Sequence, residues 1–392
     1  MKRLLLAATF ALLMAFTRPS AEAQTFIALH QFDTEANGAR PQGAVLRDAA
    51  GNLYGTTTGG GIGEGVVFKI DNRGQETVLF TFQGVNGGFP ASPLIQDPAG
   101  NLYGIADLGP GGAGILYRLS PEGEQTILHV FQGGFNLNPK VPTGGLVMDK
   151  LGNISGTTLF GGNAKCNLGC GTIYRLDKAG VLHVRYKFTG GFDGSQPFGP
   201  LVQDADGNVY GVAQSGGDRN CPEFPGQGCG TVFKVAKNGT ITVLHTFAGG
   251  LDGASPQPGL LLDGAGNLFG ASSRGGRLEN GTVFKIAKDG TYKVVHRFTG
   301  ADGKAPNGGL VSDGAGNVFG TTQLGGSEGL GVAFQLKPSG QLKVLHTFTG
   351  DLDGATPLAG LIRDETGHLF GTTVKNFRIQ PVQGGNVFEI RP

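Results

Sequence analysis

The chain has 392 residues and a formal net charge of +1 at pH 7, with 31 Lys and Arg residues against 30 Asp and Glu residues. This balance shows neither the basic excess of a nucleic-acid-binding protein nor an acidic excess, so we expect no nucleic-acid partner. The 73 glycines and 20 prolines are compatible with a disordered chain. Regularly spaced Phe, Tyr, Leu and Val favour a folded core instead, because they supply enough apolar surface to offset chain entropy.

Residues 1–23 have the pattern of a secretory signal peptide. A charged MKR start is followed by the apolar run Leu4–Phe16 and the small-residue stretch Ala21–Ala23. A membrane anchor is the less favoured alternative, because this run is shorter than the roughly 20 residues that span a bilayer. We expect a mature chain that begins near Gln24, is not inserted in the membrane, and is secreted, periplasmic or at the cell surface.

A repeated phrase of the form D-x-x-G-N runs through the rest of the chain. Seven copies lie 49 to 59 residues apart and begin at Asp48, Asp97, Asp149, Asp204, Asp263, Asp313 and Asp364, and the seventh has His368 in place of the asparagine. Short runs rich in β-branched and aromatic residues surround each copy, and they predict four strands per unit. In the fifth copy these strands cover 259–262, 268–272, 281–286 and 292–298. Four strands every 50 residues or so are typical of propeller blades. The sequence therefore predicts an all-β, seven-bladed β-propeller that occupies residues 24–392 as a single domain.

The stretch TFIALHQF at residues 25–32 resembles the fourth strand of the other units, although it stands at the start of the mature chain. Six fourth strands follow the seven sets of first, second and third strands, and the chain ends on the third strand, NVFEIRP. We therefore predict that the N-terminal strand completes the last blade. Closure removes an open sheet edge, which would otherwise be a template for aggregation.

Aromatic residues recur at fixed positions of the unit and predict packing between blades. The third strand carries Phe68, Tyr117, Tyr174, Phe233, Phe284, Phe334 or Phe388, and the fourth ends in Phe32, Phe82, Phe131, Phe188, Phe247, Phe298 or Phe348. The second strand carries Tyr or Phe in six copies but Ser155 in the third copy. We expect the third copy to pack less fully at this point.

Three segments, Gly51–Ile70, Gly266–Ile286 and Gly316–Leu336, read close to GNLYGTTxxGGxxxxGTVFKI. This unit resembles the GloVer-type tandem repeat of exported bacterial proteins, and the likeness covers essentially the whole mature chain. The resemblance implies a propeller-like extracellular protein and supplies no reaction. Family members are described by a choice of C-terminal surface anchors, whereas no such tail is recognisable here, so we expect release from the cell. We also expect a monomer.

The predicted loops divide between two faces of the ring. The D-x-x-G-N turns and the turns between the third and fourth strands are short, and we call their side the tight-turn face. The glycine-rich loops between the second and third strands share the other side with the connections between blades, and we call it the loop-rich face. Variable loops on a rigid scaffold are where binding residues concentrate.

The longest loop insert, 218–228 in the fourth copy, breaks the symmetry of the repeat on the loop-rich face. A ligand site on a repeated scaffold needs such a break, so we predict binding residues in this insert and in the next loop: Asp218, Arg219, Glu223, Phe224, Arg274, Arg277 and Glu279. A solvated loop that is held rigid and binds nothing is the alternative, and the sequence leaves it open.

Four cysteines lie in the equivalent loops of the third and fourth copies. Export makes disulfides the default, and we predict the pairs Cys166–Cys170 and Cys221–Cys229. A shared four-thiolate zinc site is the alternative, although the C-x-x-C spacing typical of zinc is missing.

Acidic residues recur in two places and raise the question of calcium. The aspartates of D-x-x-G-N are explained by capped tight turns, and the later acidic ligand of an EF-type loop is missing. Aspartates of the connections, such as Asp252 and Asp302, have the same two interpretations, an Asx turn or a cation site. We expect no metal and no other cofactor, with calcium as the alternative.

Five of the seven histidines share one position in the fourth strand, namely His30, His129, His245, His296 and His346. Phe80 and Tyr186 occupy the same position in other copies, which predicts a packing role rather than proton transfer. No catalytic residue is therefore predicted. We favour an exported, non-catalytic binding or scaffold module for an extracellular glycan, peptide or cell-envelope component. An extracellular lyase or hydrolase that acts on a polymer at the loop-rich face is the alternative.

Overall fold

The computed structural model describes residues 24–32, 37–134, 137–375 and 384–391. The predicted signal peptide, residues 1–23, lies outside these ranges. The described chain is all-β apart from one turn of 3₁₀ helix at Gly250–Asp252. In the described ranges, no helix combines the length and the apolar character that a membrane crossing requires.

Thirty strands follow one another along the described chain. In order they are β1 (Thr25–Gln31), β2 (Leu46–Arg47), β3 (Leu53–Thr57), β4 (Val66–Ile70), β5 (Glu76–Thr81), β6 (Ile95–Gln96), β7 (Leu102–Ala106), β8 (Gly112–Leu119), β9 (Gln125–Gln132), β10 (Lys140–Met148), β11 (Ile154–Phe160), β12 (Thr172–Leu176), β13 (Leu182–Lys187), β14 (Ser195–Pro197), β15 (Val202–Gln203), β16 (Val209–Ser215), β17 (Thr231–Val235), β18 (Ile241–Thr246), β19 (Ala254–Pro256), β20 (Leu261–Leu262), β21 (Leu268–Arg274), β22 (Thr282–Ile286), β23 (Tyr292–Arg297), β24 (Lys304–Ser312), β25 (Val318–Leu324), β26 (Val332–Leu336), β27 (Leu342–Thr347), β28 (Ile362–Arg363), β29 (Leu369–Thr373) and β30 (Asn386–Arg391).

These strands form seven antiparallel sheets, which are the blades of a β-propeller. Blades 1 and 2 are β2-β3-β4-β5 and β6-β7-β8-β9, and blade 3 is β10-β11-β12-β13. Blade 4 contains β14 to β18 and blade 5 contains β19 to β23. Blade 6 is β24-β25-β26-β27, and blade 7 has the order β28-β29-β30-β1. The predicted seven-bladed propeller with four strands per blade is confirmed.

The first strand of each blade is the innermost and the least regular. It is continuous in blades 3 and 6, as β10 and β24, but in blades 4 and 5 it is split into two short pieces that pair with the same second strand. In blade 5 the strand predicted over 259–262 is reduced to β20, and β19 precedes it. Pro258 and Gly259 lie between the two pieces, and neither residue type supports a regular ladder.

The N-terminal strand closes the ring as predicted. β1 pairs antiparallel with β30, the third strand of blade 7, from Thr25 opposite Arg391 to Gln31 opposite Asn386. Apolar residues from both ends of the chain then share one core, in which Phe32, Phe370 and Val387 pack with residues of blade 1. The last blade is therefore assembled from the two ends of the described chain.

The predicted aromatic rings pack against each other across every blade boundary. Each fourth-strand Phe contacts the third-strand aromatic of the next blade, with ring centroids 5.0 to 5.4 Å apart: Phe32–Phe68, Phe82–Tyr117, Phe131–Tyr174, Phe188–Phe233, Phe247–Phe284, Phe298–Phe334 and Phe348–Phe388. All of these side chains are essentially fully buried. Aromatic pairs contribute about 0.5–1.5 kcal/mol each beyond the burial of their apolar area.

Candidate functional site

The tight-turn face is built from seven repeated side-chain caps. In blade 5, Asp263 Oδ1 accepts hydrogen bonds from the backbone N–H groups of Ala265 at 2.9 Å and Asn267 at 2.8 Å, and Oδ2 accepts one from the Asn267 side chain at 2.8 Å. Gly266 adopts φ +86°, a conformation that glycine tolerates without strain. These donors occupy both carboxylate oxygens. A capped turn therefore accounts for the recurring aspartate without a metal.

The same caps hold the turn aspartates in their charged form. Burial raises the pKa of each carboxyl, but the hydrogen bonds donated by the turn outweigh burial and leave the pKa below its ordinary value of 3.8. The seven residues are Asp48, Asp97, Asp149, Asp204, Asp263, Asp313 and Asp364. Their side chains are therefore committed to the scaffold.

The recurring histidines of the fourth strand are both packed and hydrogen-bonded. His245 stacks on Tyr292 with centroids 3.5 Å apart, and its Nε2 lies 3.1 Å from Asp252 Oδ2 in the following connection. His296 with Asp302 and His346 with Asp353 repeat this pair at 2.9 Å. In blade 3 the hydroxyl of Tyr186 donates to Asp193 at 2.8 Å.

The packing role of these histidines is confirmed. The sequence analysis missed their aspartate partners in the connections, although the sequence contains a pattern that indicates them. Each connection with an Asp-Gly pair follows a fourth strand with His or Tyr six or seven residues earlier, whereas the Asn86 connection follows Phe80. The aspartates of the connections thus accept hydrogen bonds from the blade that precedes them.

The insert in blade 4 joins the connections on either side of it. Glu223 Oε1 accepts a hydrogen bond from the backbone N–H of Gly250 at 2.7 Å, and Arg219 donates to the carbonyl of Gly190 at 3.2 Å. Phe224 packs against the core between blades 4 and 5, and the guanidinium of Arg274 lies 5.9 Å from its ring centroid. The insert therefore cross-links the connections on both sides of blade 4.

The remaining predicted binding residues, Asp218, Arg277 and Glu279, lie in the same two loops. Asp218 Oδ1 accepts from the N–H of Asn220 at 2.9 Å, and Glu279 Oε2 accepts from the N–H of Gly275 at 3.1 Å. Arg277 is exposed. The structure brings Phe224 and Arg274 together but does not gather the seven predicted residues into one pocket, so their binding role stays a prediction.

Both predicted disulfides are present, Cys166–Cys170 and Cys221–Cys229. The Cα atoms of the two pairs are 5.0 and 5.3 Å apart, as expected for disulfides. Glu223 Oε2 lies 3.6 Å from the sulfur of Cys221 and 3.5 Å from that of Cys229. This cluster has the ligand types of a metal site, but sulfurs joined in a disulfide are not thiolates, the form that binds zinc.

A cavity of about 440 Å³ lies on the axis of the ring and is lined by all seven blades. Its wall consists of first-strand segments, with neutral side chains such as Gln42, Thr143 and Asn307, the ring of Phe198, and several prolines and glycines. Close contact between neighbouring first strands requires glycine here, because a Cβ on Gly144 would lie 1.9 Å from Gly199 Cα. The lining of the cavity includes segments that precede first strands, such as 42–44 and 91–93, and Asp107, which follows a second strand, so the cavity lies toward the loop-rich end of the ring.

Asp107 is the only ionisable side chain among the described residues that line this cavity. It follows the second strand of blade 2, at the loop-rich end. The side chain is open to water in the cavity, yet the surrounding protein desolvates it enough to raise the pKa of its carboxyl to about 6. The sequence analysis missed Asp107. It could have been found as an acidic residue at a repeat position where the other copies carry Thr, Leu, Gln, Ser or Val.

The residue before the recurring proline of each connection forms a set of seven, one per blade, which we call the pre-proline ring. These residues have φ between +51° and +60°, although none is glycine: Arg40, Phe89, Val141, Gln196, Ser255, Ala305 and Thr356. The conformation directs the backbone N–H toward the preceding blade, as in the 2.9 Å bond from Gln196 to the carbonyl of Cys170 and the 3.0 Å bond from Ser255 to that of Cys229. Backbone atoms thus hold this ring together, and seven different side chains occupy it.

A smaller cavity of about 390 Å³ lies between two members of this ring. Arg40 and Phe89 stand on its sides, and the glycine-rich loop from Thr58 to Gly63 forms its floor. Loop and connections therefore meet on one side of the ring, which confirms the predicted loop-rich face.

The Gloeobacter/Verrucomicrobia repeat matches residues 14–169 and 223–392, which together are most of the chain. No curated protein matches the chain by sequence.

Solved structures resemble the chain at low sequence identity. The extracellular domain described as that of a one-component system from B. thetaiotaomicron has a TM-score of 0.57 and 11% identity, over 92% of this chain and 40% of that one. The chain thus spans well under half of that protein's length. A gluconolactonase from Xanthomonas campestris has a TM-score of 0.46 and 15% identity, over 94% of this chain and 89% of that one. A luciferin-regenerating enzyme has a TM-score of 0.47 and 11% identity, over 77% and 91%. The likeness to the extracellular domain concerns the fold alone.

Proposed function

Because the chain belongs to the Gloeobacter/Verrucomicrobia repeat family, we propose that it is an exported binding propeller that takes an uncharged glycan at the loop-rich end of its central cavity. This proposal narrows the class expected from sequence, an extracellular glycan, peptide or cell-envelope component. The two disulfides and the fold shared with an extracellular domain both fit an extracellular location.

The chemistry of the central cavity is the observation that carries the proposal. Its described lining offers amide, hydroxyl and backbone groups together with the Phe198 ring, and a single carboxyl, that of Asp107. Ligand pockets typically combine apolar walls with a few polar groups that fix orientation. Neutral hydrogen-bonding groups suit sugar hydroxyls, and the Phe198 ring suits the apolar face of a pyranose. A lining with one ionisable group favours binding over acid–base chemistry, which usually needs two.

The surrounding ring of pre-proline residues supports a role in selectivity. Its scaffold contacts are made by backbone N–H groups, so the identity of each side chain is not fixed by packing at that contact. Arg40 and Phe89 line the smaller cavity on the loop-rich face, where they would extend the surface that a longer glycan covers. Different side chains at symmetry-related positions would allow a symmetric ring to bind an asymmetric ligand.

An extracellular hydrolase or lyase is the second candidate, and it rests on Asp107. A carboxyl with a pKa of about 6 is partly protonated near neutral pH and could act as a general acid. In the described lining, however, no second acid, base or nucleophile accompanies it.

The proposal can be tested by applying mature protein, residues 24–392, to a glycan array with and without calcium. We expect retention on neutral oligosaccharides, independent of calcium. Phe198→Ala should weaken retention about five- to thirtyfold, since stacking on a ring contributes on the order of 1–2 kcal/mol. Lys288→Ala on the tight-turn face is the matched control and should bind as the wild type does.

The array and one variant also separate the two candidates. Asp107→Asn should keep glycan binding if the protein is a binding module, and the wild type should release no reducing ends from the bound glycan. Turnover that Asp107→Asn abolishes would establish the enzyme instead. Absence of any glycan ligand, or Phe198→Ala with unchanged retention, would contradict the proposal.

A further inference from the structure

Two grooves of similar size lie side by side on the tight-turn face and differ in chemistry. The groove between blades 3 and 4 has a volume of about 560 Å³, and the groove between blades 4 and 5 about 660 Å³. Many positions of the repeat line both grooves. The second groove therefore serves as an internal reference for the first.

The reference groove follows the repeat. Tyr210 in β16 donates its hydroxyl to the turn carboxylate of Asp204 at 2.9 Å, and the ammonium of Lys234 lies 5.4 Å from the Tyr210 ring centroid. Leu244 in β18 supplies an apolar wall. The cation and the carboxylate of this groove are thus both engaged by the tyrosine.

The groove between blades 3 and 4 departs from the repeat at two of these positions. Ser155 stands where the six other copies have Tyr or Phe, so the cation of the third strand, Arg175, has no ring to cover. Arg175 reaches the turn carboxylate of Asp149 instead, at 3.4 Å. Arg185 stands where five copies have Leu and one has Val.

Arg185 is the less compensated of the two guanidinium groups. It is half-buried and donates to the carbonyl of Ala236 at 3.0 Å, but among the described residues no carboxylate lies within ion-pair distance of it. Burial and the nearby charge of Arg175 lower the pKa of Arg185, whereas the charge of Asp149 raises it. The Asp149 carboxylate also accepts hydrogen bonds from Leu151 and Asn153. The positive charge of the pair is therefore only partly neutralised by the protein.

The rim of the groove adds groups of both signs. Lys150 of blade 3 and Lys237 of blade 4 are exposed, and Asp204 and Asp206 line the groove from the turn of blade 4. Val147 and Met148 supply apolar surface beside Ser155. A volume of about 560 Å³ lies within the range of small-molecule pockets, roughly 300–1,000 Å³.

We propose that this groove binds a hydroxylated oxyanion of monosaccharide size, such as a sugar acid or a sugar phosphate, through Arg175 and Arg185. Two guanidinium groups supply the forked donors that carboxylates and phosphates prefer. The rim carboxylate of Asp206 would accept hydrogen bonds from the ligand's hydroxyls. This site lies on the opposite face from the central cavity and is independent of the function proposed there.

Calorimetric titration of the mature protein with glucuronate, inorganic phosphate and glucose at low salt tests the site. We expect glucuronate and phosphate to bind and neutral glucose not to bind. Arg185→Leu should weaken anion binding at least about tenfold because it removes a charge-assisted hydrogen bond. Its fold should be retained, since leucine occupies this position in five other copies.

Two further variants sharpen the result. Ser155→Tyr restores the repeat and should also weaken anion binding, because the ring would engage Arg175 as Tyr210 engages Lys234. Lys234→Ala in the reference groove should leave anion binding unchanged. The proposal is overturned if neither anion binds the wild type, if glucose binds as tightly as glucuronate, or if Arg185→Leu binds as the wild type does.

Discussion

The two faces of the ring are held together by different parts of the chain. On the tight-turn face, side chains stabilise the turns. Each turn aspartate, such as Asp263, accepts hydrogen bonds from the backbone N–H groups of its own turn. On the loop-rich face, backbone N–H groups join neighbouring blades, and the insert of blade 4 is fixed by Cys221–Cys229 and Glu223.

This difference indicates where side chains are available for ligands. A face scaffolded by the backbone leaves its side chains free to differ from blade to blade, as the seven pre-proline residues do. A face scaffolded by side chains repeats them, and any departure from the repeat is conspicuous, as at Ser155 and Arg185. The two candidate sites follow from these two situations.

Removing residues 24–32 should have the largest effect, because both faces depend on a closed ring. The deletion exposes the edge of β30 and removes Phe32 from the core shared by blades 7 and 1. Loss of a buried Phe alone costs about 3–5 kcal/mol. We expect aggregation or a loss of at least that much in the free energy of unfolding, measured by urea denaturation. An unchanged melting temperature would show that the N-terminal strand does not close the ring.

Acid should weaken the capped turns of the tight-turn face. Folding lowers the pKa of the seven turn aspartates below 3.8, so the stability that they contribute is present above that pH and is lost as the pH falls through their lowered values. The melting temperature should be nearly constant from pH 7 to pH 5 and should fall steeply below about pH 4. A melting temperature that holds down to pH 2 would argue against charged caps.

Breaking a disulfide tests the loop-rich face. Cys221→Ala with Cys229→Ala opens a short loop and should cost about 2 kcal/mol in the free energy of unfolding. The matched double variant at Cys166 and Cys170 opens a shorter loop and should cost somewhat less. Mass mapping without reduction should first show both links in the wild type. Free thiols or links between the two loops would contradict the pairing.

A side-chain change in the pre-proline ring should have the smallest effect on stability. Arg40→Ala keeps a Cβ at φ +60° and keeps the N–H that donates to Gly384, so we expect a change within about 0.5 kcal/mol. Asp263→Ala, the matched change on the tight-turn face, should cost about 1–2 kcal/mol through the lost cap. Equal costs for the two variants would remove the distinction between the faces.

Much of the fold could be predicted because the same pattern of strands and turns recurs seven times in the sequence. The count of fourth strands was enough to place β1 in the last blade, and the periodic aromatics were enough to place the interblade core. The split of the first strand in blades 4 and 5 was not predicted, because short segments interrupted by proline and glycine pair only through the context of neighbouring blades.

The candidate sites were predicted less well, since they depend on which side chains converge. The insert of blade 4 looked like a ligand loop because it was long, yet Glu223 and Arg219 are used to bracket connections. Asp107 and Arg185 are each a charged residue at a repeat position where the other copies have uncharged residues. Their surroundings come from strands far apart in sequence, so only the structure shows that one lines the axis and the other lies beside Arg175.

The central claim is that the loop-rich mouth of the axial cavity takes a neutral glycan, whereas the capped turns of the tight-turn face do not bind it. Hydrogen–deuterium exchange of the mature protein, with and without a saturating mixture of neutral oligosaccharides, tests it directly. The account predicts slower exchange in segments that line the mouth, around residues 39–44, 89–93 and 105–108. Protection confined to the capped turns, around 48–52 and 263–267, or no protection at all, would contradict it.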